Sequence, residues 1–210
     1  MRHLIAAVSA ILVLCAGTAR AQNQATNGTF DGSLTGWNAS ANTTYDGTLD
    51  NTGTSGSGSA ESVVTANDLA VVTQCIAIRP GAQYAFGGDI ILSSTLNYGG
   101  AADFGVKWYS GVNCGGSQVG SASYTSGATT RGAWLSLSSS LQTAPTGAVS
   151  VLLLAEHTVP ATGTDQANFD NMFLDGPAAT TIPVLGRVGF LALATVCAAL
   201  GIWLLRRRVS

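Results

Sequence analysis

Apolar and polar residues alternate along much of residues 22–175. In Val71–Ile78, for example, Val72, Ile76 and Ile78 fall on one face together with Gln74. A period of two residues is typical of strands with one buried face, and no stretch of this segment shows a helical period. The pattern predicts further strands at Tyr84–Leu92, Phe104–Tyr109, Trp134–Leu141, Val149–Ala155 and Ala167–Leu174. Gly- and Pro-rich turns separate them, so we expect an all-β, antiparallel sandwich.

The first residues predict an export signal. Met1-Arg2-His3 is followed by an apolar run from Leu4 to about Gly17 and then by Ala19-Arg20-Ala21, the small-x-small arrangement of a cleavage site. We expect a secretory signal peptide over residues 1–21, rather than a membrane anchor.

A second apolar run lies near the C-terminus. Val188–Leu205 is an apolar run of eighteen residues without a charge, which spans roughly 27 Å as a helix, close to the thickness of the bilayer hydrocarbon. Three basic residues follow directly: Arg206, Arg207 and Arg208. We expect a transmembrane helix over residues 188–205, preceded by a linker and motif over 176–187. Positive charge predicts a cytoplasmic tail over 206–210 and places residues 22–187 outside that membrane.

The surroundings of this run resemble a bacterial sorting signal. The motif Ile182-Pro183-Val184-Leu185, the apolar run and the terminal arginines together resemble the IPTL-CTERM signal, a relative of the PEP-CTERM signals of Gram-negative bacteria. Val184 replaces the Thr of the family motif, and Val188-Gly189 stands in place of its Trp-Gly pair. The resemblance implies an exosortase-type processing enzyme at the inner membrane and transfer to the cell surface or extracellular matrix. A permanent membrane anchor is the alternative.

The distribution of charge excludes one class of partner. All eleven acidic residues lie between Asp31 and Asp175, and residues 22–175 hold only three basic ones, which gives this segment a net charge of −8. The three are Arg79, Lys107 and Arg131. Nucleic-acid binding requires cations that neutralise phosphates, so we expect no nucleic-acid partner.

Residues 22–175 hold two cysteines, Cys75 and Cys114. An exported domain folds in an oxidising compartment, where two thiols allow one pairing. We predict a Cys75–Cys114 disulfide that closes a loop of about 40 residues. Two separately buried thiols are the alternative.

The two ends of this segment resemble the terminal strands of a known family. The opening reads Asn27-Gly28-Thr29-Phe30-Asp31 before Gly36-Trp37, and the closing strand reads Asn168-Phe169-Asp170-Asn171-Met172-Phe173-Leu174. With the hairpin Gln74–Phe86 between them, they resemble galactose-binding-like jelly rolls, the fold of many carbohydrate-binding modules. The resemblance implies a jelly-roll β-sandwich over residues 22–175.

Members of this family often hold a structural calcium ion near their terminal strands. The resemblance implies that Asp31 and Asp170 would serve that ion, and calcium accepts carboxylate oxygens. Asp31 stands where the family has a Glu, which is one methylene longer. The alternatives are that Asp31 starts an Asp-Gly turn and that Asp170 caps backbone amides.

Sugar binding needs aromatic rings that stack on pyranose rings. The tryptophans of residues 22–175 occupy patterned positions that predict burial in the core: Trp37, Trp108 and Trp134. Four tyrosines are candidates for ligand binding: Tyr45, Tyr98, Tyr109 and Tyr124. Three of these lie in Asn-, Gly- and Ser-rich stretches that predict exposure, and Tyr109 shares the face of Lys107.

No motif predicts catalysis. His157 is the one histidine of residues 22–175, and it follows Glu156 at the end of a strand, where we expect it at the surface. No serine lies in a Gly-x-Ser-x-Gly turn that joins a strand to a helix. The sequence therefore predicts that the protein is not an enzyme.

These observations predict a non-catalytic exported cell-envelope protein, structural or adhesive and associated with exopolysaccharide. The alternative is a carbohydrate-binding module with a defined glycan site. A site lined by two or more of the tyrosines would favour the alternative, whereas a flat, acidic, Ser/Thr-rich surface would favour the structural role. A cleft that joins His157 to Glu156 and another acid would indicate an enzyme.

Overall fold

The structure is a computed structural model that describes residues 21–158 and 162–177. The predicted signal peptide, sorting motif, transmembrane helix and basic tail lie outside the described residues. Within them, no helix combines the length and apolar character that crossing a membrane requires.

Within the part of the chain that the structure describes, twelve strands form two sheets. They are β1 (Gln22–Asn23), β2 (Asn38–Ala39), β3 (Thr43–Asp46), β4 (Ser59–Thr65), β5 (Leu69–Ala77), β6 (Gln83–Leu92), β7 (Ala101–Tyr109), β8 (Ser123–Tyr124), β9 (Leu135–Ser138), β10 (Gln142–Thr143), β11 (Ser150–Thr158) and β12 (Thr164–Gly176). A short 3₁₀ turn at Val112–Cys114 follows β7.

One sheet has seven strands, in the order β10-β6-β12-β4-β3, with β1 added to β12 and β9 added to β6. The other has five strands, in the order β2-β5-β11-β7-β8. The named strands pair antiparallel throughout. This arrangement confirms the predicted all-β antiparallel sandwich.

The core lies between the sheets and follows the predicted alternation. Phe104, Val106 and Trp108 of β7 point into it, and Phe104 meets Phe169 of β12 with ring centroids 5.9 Å apart. Trp37 is also buried and packs on Phe30. Burial of these aromatic rings removes large apolar areas from water and stabilises the sandwich.

The strand predicted at Trp134–Leu141 is shorter in the structure. Only Leu135–Ser138 pairs with β6, and Leu141 is 62% exposed. Trp134 precedes the paired residues, so the sheet does not hold it on its inner face. It is half-buried and lies outside the core, and the prediction that it is a core residue was wrong.

The Cys75–Cys114 disulfide is present, with Cα atoms 5.8 Å apart. It ties β5 to the 3₁₀ turn after β7. Since two strands that flank β11 are thereby linked, the bond fixes one end of the five-stranded sheet.

Candidate functional site

The outer face of the five-stranded sheet is the candidate site. Because the core side chains of β7 alternate with the others, Asp103, Gly105, Lys107 and Tyr109 all point away from the core. Across the ladder, Asp103 lies opposite Glu156 of β11, and Gly105 lies opposite Tyr124 of β8. The strand pairing therefore brings aromatic and charged side chains together on one surface.

Tyr124 forms the aromatic part of this face. A β-carbon at Gly105 would be 2.6 Å from Cδ1 of Tyr124, so the ring lies directly over the glycine backbone. The side chain remains 43% exposed. A half-exposed ring resting on a sheet can stack on an apolar ligand surface at little cost in side-chain entropy.

The charged part of the face holds two carboxylates and one ammonium. Nζ of Lys107 lies 3.4 Å from Oε1 of Glu156. Burial alone would lower the pKa of Lys107, but the Glu156 carboxylate and the Tyr124 hydroxyl raise it above its ordinary value. Burial, followed by the nearby charge of Glu156, raises the pKa of Asp103 to about 6. These groups can accept and donate hydrogen bonds to a ligand's hydroxyl groups.

The four candidate tyrosines lie in three places. Tyr109 and Tyr124 share the outer face of the five-stranded sheet. Tyr45 lies on β3 of the other sheet, where it is half-buried against the core, so the prediction that it is exposed was wrong. Tyr98 is 54% exposed in the loop between β6 and β7 and lies against Gly163.

The predicted calcium ligands lie near the opening and closing strands. Asp31 is exposed and accepts a hydrogen bond from Oγ1 of Thr29. With Asn171 and Met172 it lines a pocket of about 320 Å³. Asp170 is buried and accepts the backbone N–H groups of Asn51 and Asn171. Asp170 therefore caps backbone amides, and Asp31 precedes a glycine with a left-handed backbone, Gly32 (φ 68°).

Two further carboxylates surround Asp170, and the sequence analysis missed both. Asp89 is its cross-strand partner, and Asp50 lies on the loop beside it. Burial, with a contribution from Asp50, raises the pKa of Asp170 to about 7. Among residues 21–158 and 162–177, no three His, Cys, Asp or Glu side chains are placed to hold a metal ion together. Calcium binding therefore stays a prediction.

The side-chain amides of two asparagines donate hydrogen bonds to the carboxylate of Asp89. Nδ2 of Asn51 and Nδ2 of Asn171 each lie 2.7 Å from its Oδ2, and Ser136 donates to its Oδ1. The Asp89–Asp170 pair is thus held within a network of neutral donors. Among the described residues these donors are uncharged, so burial, with the nearby Asp50, still raises the pKa of Asp170 above its ordinary value.

His157 is fully buried, so the prediction that it lies at the surface was wrong. Inner positions of β11 point to the core, and its Nδ1 lies 2.8 Å from Oγ of Ser62. Its Nε2 lies 3.8 Å from Oδ1 of Asp165 and has no hydrogen-bond partner among residues 21–158 and 162–177. Ser62, His157 and Asp165 resemble a catalytic triad in composition, but all three are fully buried.

Arg131 completes this buried network. Its guanidinium makes two hydrogen bonds to Asp165, of 2.8 and 2.6 Å, and a third to the carbonyl of Gly100. Burial would raise the pKa of Asp165, but Arg131 and backbone amides lower it overall. Burial lowers the pKa of His157 to about 4, so the imidazole is neutral near pH 7. Through Arg131, the network therefore links the loop residue Gly100 to Asp165 on β12.

No family model matches this sequence. No curated protein matches it either. Solved structures do match its fold. The enzymatically active domain of tailspike protein 4 of bacteriophage CBA120 is similar with a TM-score of 0.57 and 14% identity over 73% of this chain. The match spans only 21% of the tailspike chain.

Two other neighbours match over almost their whole length. A family 61 carbohydrate-binding module, solved with β-1,4-galactotriose, has a TM-score of 0.53 and 13% identity, over 73% of this chain and 97% of its own. A xylan-binding domain from Paenibacillus barcinonensis has a TM-score of 0.51 and 14% identity, over 78% of this chain and 100% of its own. At these identities the matches show the fold, which is that of β-sandwich carbohydrate-binding modules.

Proposed function

We propose that residues 22–175 act as a carbohydrate-binding module and that its glycan site is the outer face of the five-stranded sheet. The observation that carries the proposal is the position of Tyr124, which lies over Gly105 beside three charged side chains. An aromatic platform next to hydrogen-bonding groups is the combination that sugar recognition requires.

The width of the face suits an extended ligand. From β5 through β11 and β7 to β8 there are three strand spacings, roughly 14 Å in all. Tyr124 lies at one edge of this span, and Glu156 lies on β11, the central strand of the five-stranded sheet. A sugar that stacks on Tyr124 would therefore direct its neighbouring unit toward the charged groups. The fold shared with carbohydrate-binding modules supports this proposal.

A structural or adhesive role is the second candidate. The observation in its favour is the outer face of the seven-stranded sheet, where Thr44, Glu61 and Asp46 form a polar, acidic surface on β3 and β4. Such a surface could contact a matrix without a defined pocket. It would not explain the ordered platform on the other sheet, so we place the binding module first.

We propose that the protein is not an enzyme. The combination closest to a catalytic triad, Ser62 with His157 and Asp165, is fully buried and offers no access to a substrate. On the outer face, the carboxylates of Asp103 and Glu156 lie opposite each other on the adjacent strands β7 and β11. Glu156 is paired with Lys107. The absence of hydrolysis products after incubation with any glycan that binds would support this part of the proposal.

We also propose that the domain is exported and sorted by its C-terminal signal, through the inner membrane and an exosortase-type enzyme. The support is the sequence of residues 1–21 and 176–210. The test is the intact mass of the protein from membrane and surface fractions. A surface form that has lost the residues after the Ile182–Leu185 motif would support sorting, and a chain that keeps them at the membrane would indicate a permanent anchor.

The binding proposal is tested with the full chain, purified in detergent and applied to a glycan array. We expect reproducible binding to one glycan class. Tyr124→Ala should weaken that binding about tenfold, because it removes the stacking surface. Tyr98→Ala is the matched control, since it removes an exposed tyrosine from a loop outside the face. Equal loss in both variants, or no binding to any glycan, would count against the proposed site.

A further inference from the structure

The charges on the outer face of the five-stranded sheet do not balance. Lys107 is the one cation at the outer positions of the described strands β5, β7, β8 and β11, and it pairs with Glu156. Asp103 lies next to Glu156 across the ladder and has no cationic partner there. The face therefore carries one carboxylate charge more than its lysine can neutralise.

The environment of Asp103 makes this imbalance costly. Its Oδ1 is buried and has no hydrogen-bond partner among the described residues, while the residue as a whole is half-buried. A carboxylate oxygen without a donor loses the solvation that water would provide. The raised pKa of Asp103 reflects that loss and the repulsion by Glu156. A positive charge beside the carboxylate group would offset the repulsion by Glu156 and stabilise the charged form of Asp103.

Three kinds of sugar substituent would meet this carboxylate differently. A hydroxyl group supplies a hydrogen bond but no charge. A uronic-acid carboxylate or a sulfate is repelled by Asp103 and Glu156. A protonated amine supplies both the hydrogen bond and the charge, and charge-assisted hydrogen bonds are about twice as strong as neutral ones.

We infer that this face selects glycans with free amino groups, such as hexosamine units that lack their acetyl groups, and that Asp103 binds the ammonium. The inference rests on the proposed function, because it names the sugar class for the same face. In this arrangement a hexosamine ring stacks on Tyr124, and the ammonium of a unit on the same chain pairs with Asp103. Lys107 remains paired with Glu156. Because its charge is already neutralised there, it binds anionic sugars weakly at most.

The net charge of the domain complicates any measurement with a polycation. Residues 22–175 carry a net charge of −8, so a cationic glycan is attracted to the whole domain as well as to the face. This general attraction depends on total charge and on salt, whereas pairing with Asp103 depends on one residue. A variant that removes one negative charge elsewhere separates the two effects.

The experiment compares two probes of the same backbone and length: chitosan hexamer, with free amines, and its fully N-acetylated counterpart. Binding of the full chain in detergent is measured by calorimetry at fixed ionic strength. We expect the amine form to bind at least about tenfold more tightly. In Asp103→Asn the preference should fall to within about twofold. Glu61→Gln, which removes one negative charge from the outer face of the other sheet, should keep the wild-type preference.

The remaining outcomes overturn the inference. They are equal or tighter binding of the N-acetylated probe, a preference that survives in Asp103→Asn, and equal losses in Asp103→Asn and Glu61→Gln. If the N-acetylated probe or another neutral glycan binds and Tyr124→Ala abolishes that binding, the proposed function stands and only the amine selectivity fails. If no glycan binds at all, both fail together.

Discussion

The ring of Tyr124 occupies the space that a side chain at position 105 would fill. Tyr124 and Gly105 are cross-strand partners on β8 and β7, and a β-carbon on the glycine would be 2.6 Å from Cδ1 of the tyrosine. Glycine weakens a strand because it adds no packing and has a large entropy in the unfolded chain. At this position it allows an aromatic ring to pack directly against the strand.

We expect Gly105→Ala to displace the Tyr124 ring and weaken glycan binding. The added methyl group would also meet Cδ1 of Leu154, so the tyrosine is the group that moves toward solvent. A tilted ring loses part of its stacking surface, and we expect an affinity loss of about threefold to tenfold. Titration with the glycan identified on the array measures it.

Gly127→Ala is the matched control, because a β-carbon there would lie 3.9 Å from its neighbours, an ordinary contact. Circular dichroism and thermal unfolding would verify that both variants remain folded. Wild-type affinity in a folded Gly105→Ala protein would mean that Tyr124 is not the stacking platform.

The Arg131–Asp165 pair should contribute strongly to stability. Asp165 is fully buried, and Arg131→Met would leave its charge without a counterion. Breaking a buried ion pair in this way costs about 3–5 kcal/mol. Urea unfolding of the purified protein measures the change in the free energy of unfolding.

The matched comparison is Lys107→Met, which breaks a pair between partly exposed side chains. Pairs of this kind contribute about 0–1 kcal/mol. Similar losses in the two variants would show that Arg131 acts through exposed surface charge alone. Asp165→Asn in the Arg131→Met background should recover part of the loss, since it removes the uncompensated charge.

Much of the fold could be predicted from periodicity. The alternation in β5 through β7 and in β11 and β12 was visible because each strand has nine or more residues, one face in the core and turns at its ends. Short strands such as β1, β2, β8 and β10, each of two residues, carry no readable period. Their pairing depends on the neighbouring long strands rather than on their own sequence.

The candidate site was only partly predictable. Tyr109 and Lys107 could be placed on one face from the pattern of β7, and the same pattern extends to Asp103. The partner of each residue across the ladder depends on register, which the sequence does not state. Thus Glu156 opposite Asp103, and Tyr124 over Gly105, became visible only in the structure.

His157 was predicted to lie at the surface, but it is buried. Its place after Glu156, at the end of a predicted strand, suggested a position at the surface. In the structure β11 continues to Thr158 and keeps the inward alternation of Val151, Leu153 and Ala155, which places His157 in the interior. The polar partners that make this burial affordable come from β4 and β12, far away in the sequence.

Calcium binding near the terminal strands, which the family resemblance implies, should stabilise the domain through Asp170. A ligand that binds only the folded state raises its stability by mass action. We expect added calcium to raise the melting temperature by a few degrees and EDTA to reverse the rise. Asp170→Asn should abolish the calcium response, because it removes a charged oxygen ligand.

Asp68→Asn is the control for calcium, since Asp68 is exposed at a turn between β4 and β5. It should keep the full response. A calcium shift of equal size in Asp170→Asn, or no shift in the wild-type chain at any calcium concentration, would contradict the prediction. A shift that magnesium reproduces would indicate a general effect of divalent cations.

Acid should destabilise the fold through His157. Its pKa is lowered to about 4 in the folded protein from an ordinary 6.5, so below pH 6.5 the unfolded chain takes up a proton that the folded chain does not. The groups that face the ring are Asp165, Arg131 and Ser62, and burial outweighs the carboxylate. Stability from this group is therefore complete above pH 6.5 and is lost as the pH falls toward about 4, by about 1.4 kcal/mol per pH unit at most. Other groups titrate in this range, so the measured quantity is the difference in unfolding free energy between the wild type and His157→Gln across that pH range.

We expect the wild type to lose stability relative to the variant as the pH falls. A difference that does not change with pH would mean that His157 is protonated, or exposed, in the folded protein.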